Sequence, residues 1–210
     1  TLAGLLEPKG GELTLDGTAP WAAQRSDVAR RITLTAEDAH VFATTVLENL
    51  RVANGTLSSQ DARALLRRAG LGDWLTGLPQ GLDTLLSSDA TTLSGGERRR
   101  LLLARALAAP APLMLLDEPG EHLEAATADR LVADLLQAGN GAEDAEEAEE
   151  TARGVLLVTH RLSALESADE VLVLGIPEPG EPATIVRRGT HTRLSAQDAS
   201  YRWSLEHEHG

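Results

Sequence analysis

The stretch Thr91–Pro119, TTLSGGERRRLLLARALAAPAPLMLLDEP, contains three successive kinds of sequence. Its start is rich in small polar residues and glycine. Its middle, from Glu97 to Ala109, lacks glycine and proline and consists mostly of leucine, alanine and arginine, which are strong helix formers. After two prolines comes the short apolar run 113–116 and then two acidic residues. The pattern predicts a loop, a helix and a strand buried on both faces of a parallel sheet.

The loop before the predicted helix has the features of an anion-binding segment. It reads Ser94-Gly95-Gly96-Glu97. Glycines let backbone N–H groups approach an anion, the serine adds a hydroxyl, and a helix N-terminus carries partial positive charge. A Ser-Gly-Gly sequence alone is usually an ordinary loop, so this feature needs a second one to support it.

The second feature is the carboxylate pair Asp117 and Glu118, which follows the predicted strand. Open α/β sheets bind ligands at the carboxyl ends of their strands. There an aspartate can hold Mg²⁺, and a glutamate can orient or deprotonate an attacking water. Alone, Asp-Glu-Pro is usually a strand end followed by a turn.

Together, in this order and spacing, the two features resemble the signature and Walker B motifs of ATP-binding cassette (ABC) ATPases. The resemblance covers nearly all of the 210 residues. It implies an α/β fold of the P-loop NTPase (RecA-like) type, with a parallel sheet core and an inserted α-helical signature lobe at about 44–107. It also implies ATP and Mg²⁺ as cofactors. The implied roles are metal binding for Asp117, catalysis for Glu118, and nucleotide binding for Ser94, Gly95, Gly96 and Glu97.

The Walker A motif of that family, G-x-x-x-x-G-K-[ST], does not occur in this sequence. The only lysine, Lys9, lacks the required spacing and the hydroxyl residue that should follow it. The family's counterpart of AGLLEP (3–8) belongs to the helix that begins at the Walker A loop. We therefore expect Thr1–Glu7 to be the tail of that helix, the motif to lie just before Thr1, and the sheet of this fragment to be incomplete.

Two further positions match family motifs by their order. Glu37 stands where the family's Q-loop glutamine contacts Mg²⁺ and water, so the resemblance implies metal and cofactor binding for it. A carboxylate can ligate Mg²⁺ but donates no hydrogen bond unless it is protonated. The alternative for Glu37 is an exposed acidic loop. His160 follows Gly154–Thr159, a second predicted buried strand, and resembles the family's switch histidine, which contacts the γ-phosphate. A lone histidine at a strand end is otherwise more often structural.

Two segments after Pro119 differ from the family's usual pattern. Residues 120–124, GEHLE, occupy the D-loop position, where the family usually has S-A-L-D. The segment 139–153 is strongly acidic. We predict that it is a solvated insertion, with a metal or partner site as the weaker alternative.

Composition limits the classes of function. The chain is 42% apolar, enough for a substantial core, and has no cysteine, which excludes disulfides and thiol catalysis. A net charge of −13 argues against a nucleic-acid partner, since phosphate binding needs clustered basic residues. The cluster 98–100 is the exception, and on a helix its simplest interpretation is a solvated face. No run approaches the ~18 apolar residues of a membrane span.

Four segments resemble one branch of the family, the CydC-type subunits of thiol-reductant exporters: AEDAHVF, TTVLENLRVA, LGDWL and LDEPGEHLEAATAD. That branch implies a transmembrane domain, a CydD-like ABC subunit as heterodimer partner, a location at the cytoplasmic face of the plasma membrane, and export of glutathione or cysteine for cytochrome bd assembly. Two alternatives remain. One is a soluble ABC ATPase of translation or DNA repair, which the acidic balance disfavours. The other is a catalytically inactive truncated cassette that completes a partner's site.

Overall fold

The computed structural model describes residues 1–35, 39–86, 93–121, 123–137, 153–177 and 182–208. This part of the chain contains five strands: β1 (Ile32–Leu34), β2 (Leu113–Asp117), β3 (Gly154–Val158), β4 (Val171–Gly175) and β5 (Thr184–Gly189). Its α-helices are α1 (Arg25–Arg31), α2 (Val46–Arg51), α3 (Ser59–Arg68), α4 (Gly72–Gly77), α5 (Gly95–Ala108), α6 (Ala125–Gln137), α7 (His191–Gln197) and α8 (Ala199–Glu206). None of these helices has the length and apolar character needed to cross a membrane.

The strands before and after α5 form a parallel sheet in the order β1-β2-β3. Central β2 pairs with both neighbours, so that Met114 and Leu116 are only 1% exposed. The register places Asp117 opposite Val158, so β2 and β3 end at the same edge. The predicted α/β fold with a parallel sheet is confirmed, including its strands at 113–116 and 154–159.

The helices between residues 46 and 108 pack around α5. Helices α2 and α3 both contact α5, and Leu50, Leu66 and Leu101 are fully buried at the contacts between these helices and their neighbours. Gly70 ends α3 with φ 74°; its N–H donates to Arg67 O, and the next N–H donates to Leu66 O. These bonds form a Schellman cap. Whether 44–107 forms a separate lobe stays a prediction.

Both ends of α5 are satisfied by side chains. At its start, Ser94 Oγ accepts from Glu97 N–H (3.2 Å), and the Glu97 carboxylate accepts from Ser94 N–H (2.7 Å). This is a capping box. At its end, the Arg153 guanidinium donates to the carbonyls of Leu107 and Ala109. Burial lowers the pKa of Arg153, with a smaller contribution from Arg68. The central helix is therefore held at both termini by groups that match its dipole.

Two expectations about secondary structure are wrong. Thr1–Glu7 forms turns and not a helix, because Gly4 adopts φ 69° and approaches the Pro20 backbone closely enough that a Cβ would lie 2.5 Å from its carbonyl oxygen. Strand β3 is half-exposed and not buried, with Leu156 40% and Val158 53% exposed. Among the described residues, β3 pairs only with β2.

The C-terminal part consists of the antiparallel β4-β5 hairpin followed by α7 and α8. The inner residues Val171, Leu194 and Tyr201 pack with Val132 of α6 in a second apolar cluster. Side chains on the other face of the hairpin are exposed, including Leu174 (66%) and Ile185 (51%). One face of the hairpin therefore packs in the core, and its other face is not covered by any described residue.

Candidate functional site

Polar side chains converge where the parallel strands end. Asp117 is the last residue of β2, while Thr35 and Thr159 directly follow β1 and β3. The Asp117 N–H donates to Thr35 Oγ1 (3.2 Å), and this hydroxyl donates to Leu115 O (3.4 Å). Parallel strands bring their carboxyl ends to one edge, and here a threonine hydroxyl links β1 to the aspartate of β2.

Glu118 is held by the residues that follow β3. Its N–H donates to Val158 O (2.9 Å), and its backbone has φ 42°. One carboxylate oxygen lies 3.0 Å from His160 Nδ1, and the other accepts a 3.3 Å bond from Thr159 Oγ1. A positive φ is uncommon for a residue with a side chain and persists only where surrounding contacts fix it. The fold thus fixes both the backbone and the carboxylate of Glu118.

His160 lies on the outer side of Glu118. Its Nδ1 is 3.0 Å from a Glu118 carboxylate oxygen, and its side chain is 69% exposed. A histidine ring has two nitrogens through which it can form hydrogen bonds. The exposed ring can therefore reach a ligand outside the chain while it stays beside Glu118.

A small cavity of about 40 Å³ lies beside the carboxylates and is lined by Thr35, Arg99, Leu102, Leu103, Asp117, Glu118 and Pro119. It has room for a few waters and none for a nucleotide. The described residues contain no cluster of three or more metal-ligating side chains. Mg²⁺ in nucleotide sites uses one or two carboxylates, keeps several waters and takes its other ligands from phosphates. Asp117 and Glu118 match the one or two carboxylates that a protein supplies to such an ion.

The residues of the signature segment lie at the exposed start of α5. Ser94 and Gly95 are exposed, and Gly96 and Glu97 are partly exposed. The capping box accounts locally for Ser94 and Glu97, because each side chain satisfies a backbone donor of the helix end. The Ser94 hydroxyl accepts in that bond, so its own hydrogen can still be donated to another group.

A network of polar groups holds the segment just before α2 against α5. Asn49 is fully buried, and its side chain both accepts from the Phe42 N–H (2.9 Å) and donates to the Phe42 carbonyl (3.0 Å). Arg105 of α5 donates to Asn49 O and Asn49 Oδ1, each at 2.7 Å, and lies over the Phe42 ring at 5.5 Å. A buried amide with all of these bonds fixes its neighbours in one arrangement.

Arginines of α5 extend this network toward residue 39. Arg105 donates to His40 O (2.7 Å), and Arg98 donates to Ala39 O (2.6 Å). Burial lowers the pKa of Arg105, and the nearby Arg98 adds to the effect. The cluster 98–100 was predicted to be a solvated face. Arg98 and Arg99 nevertheless bind other parts of the chain, because Arg98 donates to Ala39 O and Arg99 pairs with Glu121. Glu37 itself lies outside the described residues.

The structure brings together three of the predicted site residues, Asp117, Glu118 and His160, at one edge of the sheet. It places the signature residues together at the start of α5. His122 and residues 139–152 of the predicted acidic segment 139–153 lie outside the described residues, like Glu37. Its last residue, Arg153, is described and donates to the carbonyls of Leu107 and Ala109. Sequence reasoning missed Thr35 and Thr159. Each directly follows a strand of the parallel sheet, the position that also singled out the residues after β2, but the predicted strand Gly154–Thr159 included Thr159 and so hid it.

The sequence was compared with known proteins. Residues 1–121 match the ABC transporter family. The chain is 34% identical over 206 residues to an ATP-dependent lipid A-core flippase of Photobacterium profundum, covering 96% of this chain and 32% of the relative. It is 30% identical over 201 residues to the glutathione/L-cysteine transport system ATP-binding/permease protein CydD of Bacillus subtilis, with the same coverages. The chain thus spans about a third of the length of these curated relatives.

The fold has a counterpart among solved structures. A bacterial Atm1-family ABC exporter with ATP bound superposes with a TM-score of 0.77 at 23% sequence identity, covering all of this chain and 34% of that one. At this identity the likeness shows the fold alone. The family match extends over more than half of the chain and includes both the signature segment and the Asp117-Glu118 pair. The chain therefore belongs to the ABC transporter family.

Proposed function

We propose that this chain is the nucleotide-binding domain of an ABC exporter and that it couples ATP binding and hydrolysis to transport. The observation that carries the proposal is the grouping of Asp117, Glu118 and His160 at the carboxyl edge of the parallel sheet, with Glu118 and His160 in direct contact at 3.0 Å. Open α/β sheets bind ligands at this edge.

Each of these residues has a chemical role in the proposal. Phosphoryl transfer needs positioning and charge stabilisation more than covalent help. Glu118 orients and deprotonates the attacking water, and its contacts with Thr159 and His160 fix the direction of its carboxylate. His160, whose exposed ring lies beside Glu118, contacts the γ-phosphate. Asp117 holds Mg²⁺, which neutralises charge on the phosphates when bound.

The phosphate-binding part of the site is not among these 210 residues, which contain no Walker A motif. We propose that the full-length polypeptide supplies that loop and its strand. Two observations support this. Strand β3 has one edge without a partner strand in the described part of the chain, and β4 pairs there only with β5. Leu157 of β3 and Val173 of β4 nevertheless pack against the same apolar cluster, as expected if one further strand joins the two sheets.

The signature residues serve a second nucleotide in this proposal. Ser94, Gly95, Gly96 and Glu97 are at least partly exposed at a capped helix end, where their donors could reach a phosphate held by another subunit. The partner we propose is a CydD-like ABC subunit, and the transmembrane domain places the assembly at the cytoplasmic face of the plasma membrane. A nucleic-acid partner does not fit the net charge of −13.

We propose a thiol reductant, glutathione or cysteine, as the transported substrate, as in the CydC-type branch. The resemblance of four segments to that branch and the relative named CydD support it. The flippase relative has slightly higher identity and makes a lipid the second candidate. Inside-out vesicles with the full-length transporter should accumulate labelled glutathione or cysteine when ATP is added. ATP-dependent lipid translocation without thiol uptake would favour the second candidate.

The experiment that tests ATP hydrolysis replaces one carboxylate by its neutral isostere. Glu118→Gln in the full-length transporter should keep ATP binding and lower turnover at its site by about 10²- to 10⁴-fold, the usual contribution of a general base. Glu166→Gln is the matched control, because Glu166 is exposed on a 3-10 turn outside the site. Unchanged turnover in Glu118→Gln would remove Glu118 from the mechanism. A wild-type transporter without turnover at this site would favour the inactive cassette.

A further inference from the structure

The residues after β2 form a tight turn whose geometry determines where Glu118 points. Glu118 has φ 42°, and its carbonyl accepts a bond from the Glu121 N–H (3.0 Å). A residue with a side chain leaves this left-handed region easily unless contacts on both sides oppose it. The arrangement of the Glu118 carboxylate therefore depends on what holds the turn 118–121.

One side of the turn is fixed by backbone and close packing. The Glu118 N–H is bonded to Val158 O on β3. Gly120 lies so close to α6 that a Cβ at this position would be 3.0 Å from Ala128 Cβ. These contacts anchor the start and the middle of the turn against the sheet and α6.

The end of the turn is held from α5. Arg99 Nη1 lies 2.6 Å from Glu121 Oε2, and both side chains are about one-third exposed. Arg99 is five residues after Ser94, so it lies close to the start of the signature helix. Arg99 also lines the small cavity with Asp117 and Glu118. This pair joins the signature helix to the turn that bears Glu118.

Charge explains why a cation is useful at this point. Asp117, Glu118 and Glu121 place three carboxylates within five residues, and like charges at short range repel. An arginine that binds the third carboxylate offsets this repulsion and fixes the position of that side chain. An Arg99→Gln side chain would keep much of the shape and lose the charge.

We propose that Arg99 is a positioning residue for Glu118: through its ion pair with Glu121 it holds the turn 118–121 and thereby the orientation of the Glu118 carboxylate. This rests on the proposed function, since it assigns Glu118 to ATP hydrolysis. Arg99 does not contact the reacting atoms. Its effect belongs to the rate of the chemical step and not to ATP affinity.

The test uses the full-length transporter and compares Arg99→Gln, Glu121→Gln and the double variant with both Arg99→Glu and Glu121→Arg. Each single change should lower kcat by about 10- to 100-fold, as for a misplaced catalytic group, with the KM for ATP nearly unchanged. Amide hydrogen exchange of Glu121 should become faster in both single variants. The double variant, which restores an ion pair with its charges swapped, should recover slow hydrogen exchange of the residue 121 amide and most of the kcat. Arg99→Lys keeps the charge and should lie between wild type and Arg99→Gln in both readouts.

Arg188→Gln is the matched control, because it removes an ion pair of similar length, Arg188 to Glu170 at 2.8 Å, in the distant β4-β5 hairpin. It should change neither kcat nor the exchange of the Glu121 amide. Arg99→Gln with wild-type kcat and wild-type exchange at Glu121 would overturn the proposal, as would a lower kcat with unchanged exchange. The exchange readout does not require turnover, so a transporter that hydrolyses no ATP would contradict the proposed function without deciding the role of the ion pair.

Discussion

The helical region around α5 and the sheet region of β3, β4 and β5 bury their apolar residues to very different extents. Leu50, Leu66 and Leu101 are fully buried between helices, whereas Val158 and Leu174 are 53% and 66% exposed. Exposed apolar residues that lie together often mark a surface that another segment covers. The helical region has a buried core within the described residues, although Val52 and Leu85 on its surface are 56% and 70% exposed. Strand β3 has, in addition, one edge with no partner strand among the described residues. Ser94 therefore begins a helix with a buried core, while Asp117 and Glu118 lie beside a sheet with an unpaired edge.

The largest expected effect on stability is in the helical core. Leu101→Ala should lower the free energy of unfolding by about 2–5 kcal/mol, because a fully buried leucine loses both its transfer energy and its packing contacts. Leu156→Ala, in the half-exposed strand β3, is the matched comparison and should cost less than about 1 kcal/mol. Urea unfolding of wild type and of each variant measures these two losses of unfolding free energy. Equal losses would mean that the sheet region is as well packed as the helical one.

The next effect concerns the polar network that joins residues 40–49 to α5. Arg105→Gln removes the donor to Asn49 Oδ1, Asn49 O and His40 O, so these acceptors lose a charged partner. The expected loss is about 1–3 kcal/mol of unfolding free energy. Arg63→Gln, at an exposed position of α3, is the control and should stay within about 0.5 kcal/mol of wild type. An Arg105 variant as stable as this control would show that the network is not needed for the fold.

Two serine caps separate structural from functional effects within the helical region. Ser94 and Ser58 cap α5 and α3 through equivalent bonds of 3.2 and 3.1 Å. Replacing either by alanine should cost about 1 kcal/mol of stability. Only Ser94→Ala should also lower ATP turnover of the full-length transporter, by about tenfold, the value of one hydrogen bond to a charged group. Equal turnover in the two variants would leave Ser94 with its capping role alone.

The smallest effect is a pH dependence at Asp198, the N-cap of α8, which pairs with Arg187 of β5. The Tyr201 N–H, followed by Arg187 and the Ser200 N–H, lowers the pKa of Asp198 below its ordinary value of 3.8. A depressed carboxyl pKa stabilises the fold above the ordinary pKa, and this stabilisation is lost as the pH falls through the native value. Unfolding measured from about pH 5 down to about pH 2 should therefore show a steeper loss for wild type than for Asp198→Asn. If the unfolding free energies of wild type and Asp198→Asn fall in parallel as the pH is lowered, Asp198 does not contribute to the loss of stability in acid.

Local sequence predicted the central part of the molecule well. The composition of α5 and the apolar run of β2 are local signals. The capping box of Ser94 and Glu97 was not predicted, although its spacing is also local. The prediction that Asp117 and Glu118 follow a strand of a parallel sheet is confirmed, and the register adds that β3 ends at the same edge. Such features depend on a few neighbouring residues and therefore survive in any context.

Features that depend on distant contacts were not predictable. The positive φ of Glu118 and the Arg99–Glu121 pair arise from packing between elements that are far apart in the sequence. The half-exposure of β3 has a similar origin, because an apolar strand has the same sequence pattern whether or not its neighbours are present. The turns at Thr1–Glu7 show the opposite case, in which the close approach of Gly4 to Pro20 overrides helix propensity.

Under the proposed function, these 210 residues hold the hydrolytic side chains of an ABC exporter site, while the phosphate-binding loop comes from outside them. Calorimetric titration of ATP with Mg²⁺ into the isolated chain and into the full-length protein tests this division. We predict no ATP binding by the isolated chain at millimolar concentration and clear binding by the full-length protein, because the lysine and the ring of N–H donors of a Walker A loop are missing from this sequence. Millimolar or tighter binding of ATP by the isolated chain would contradict it.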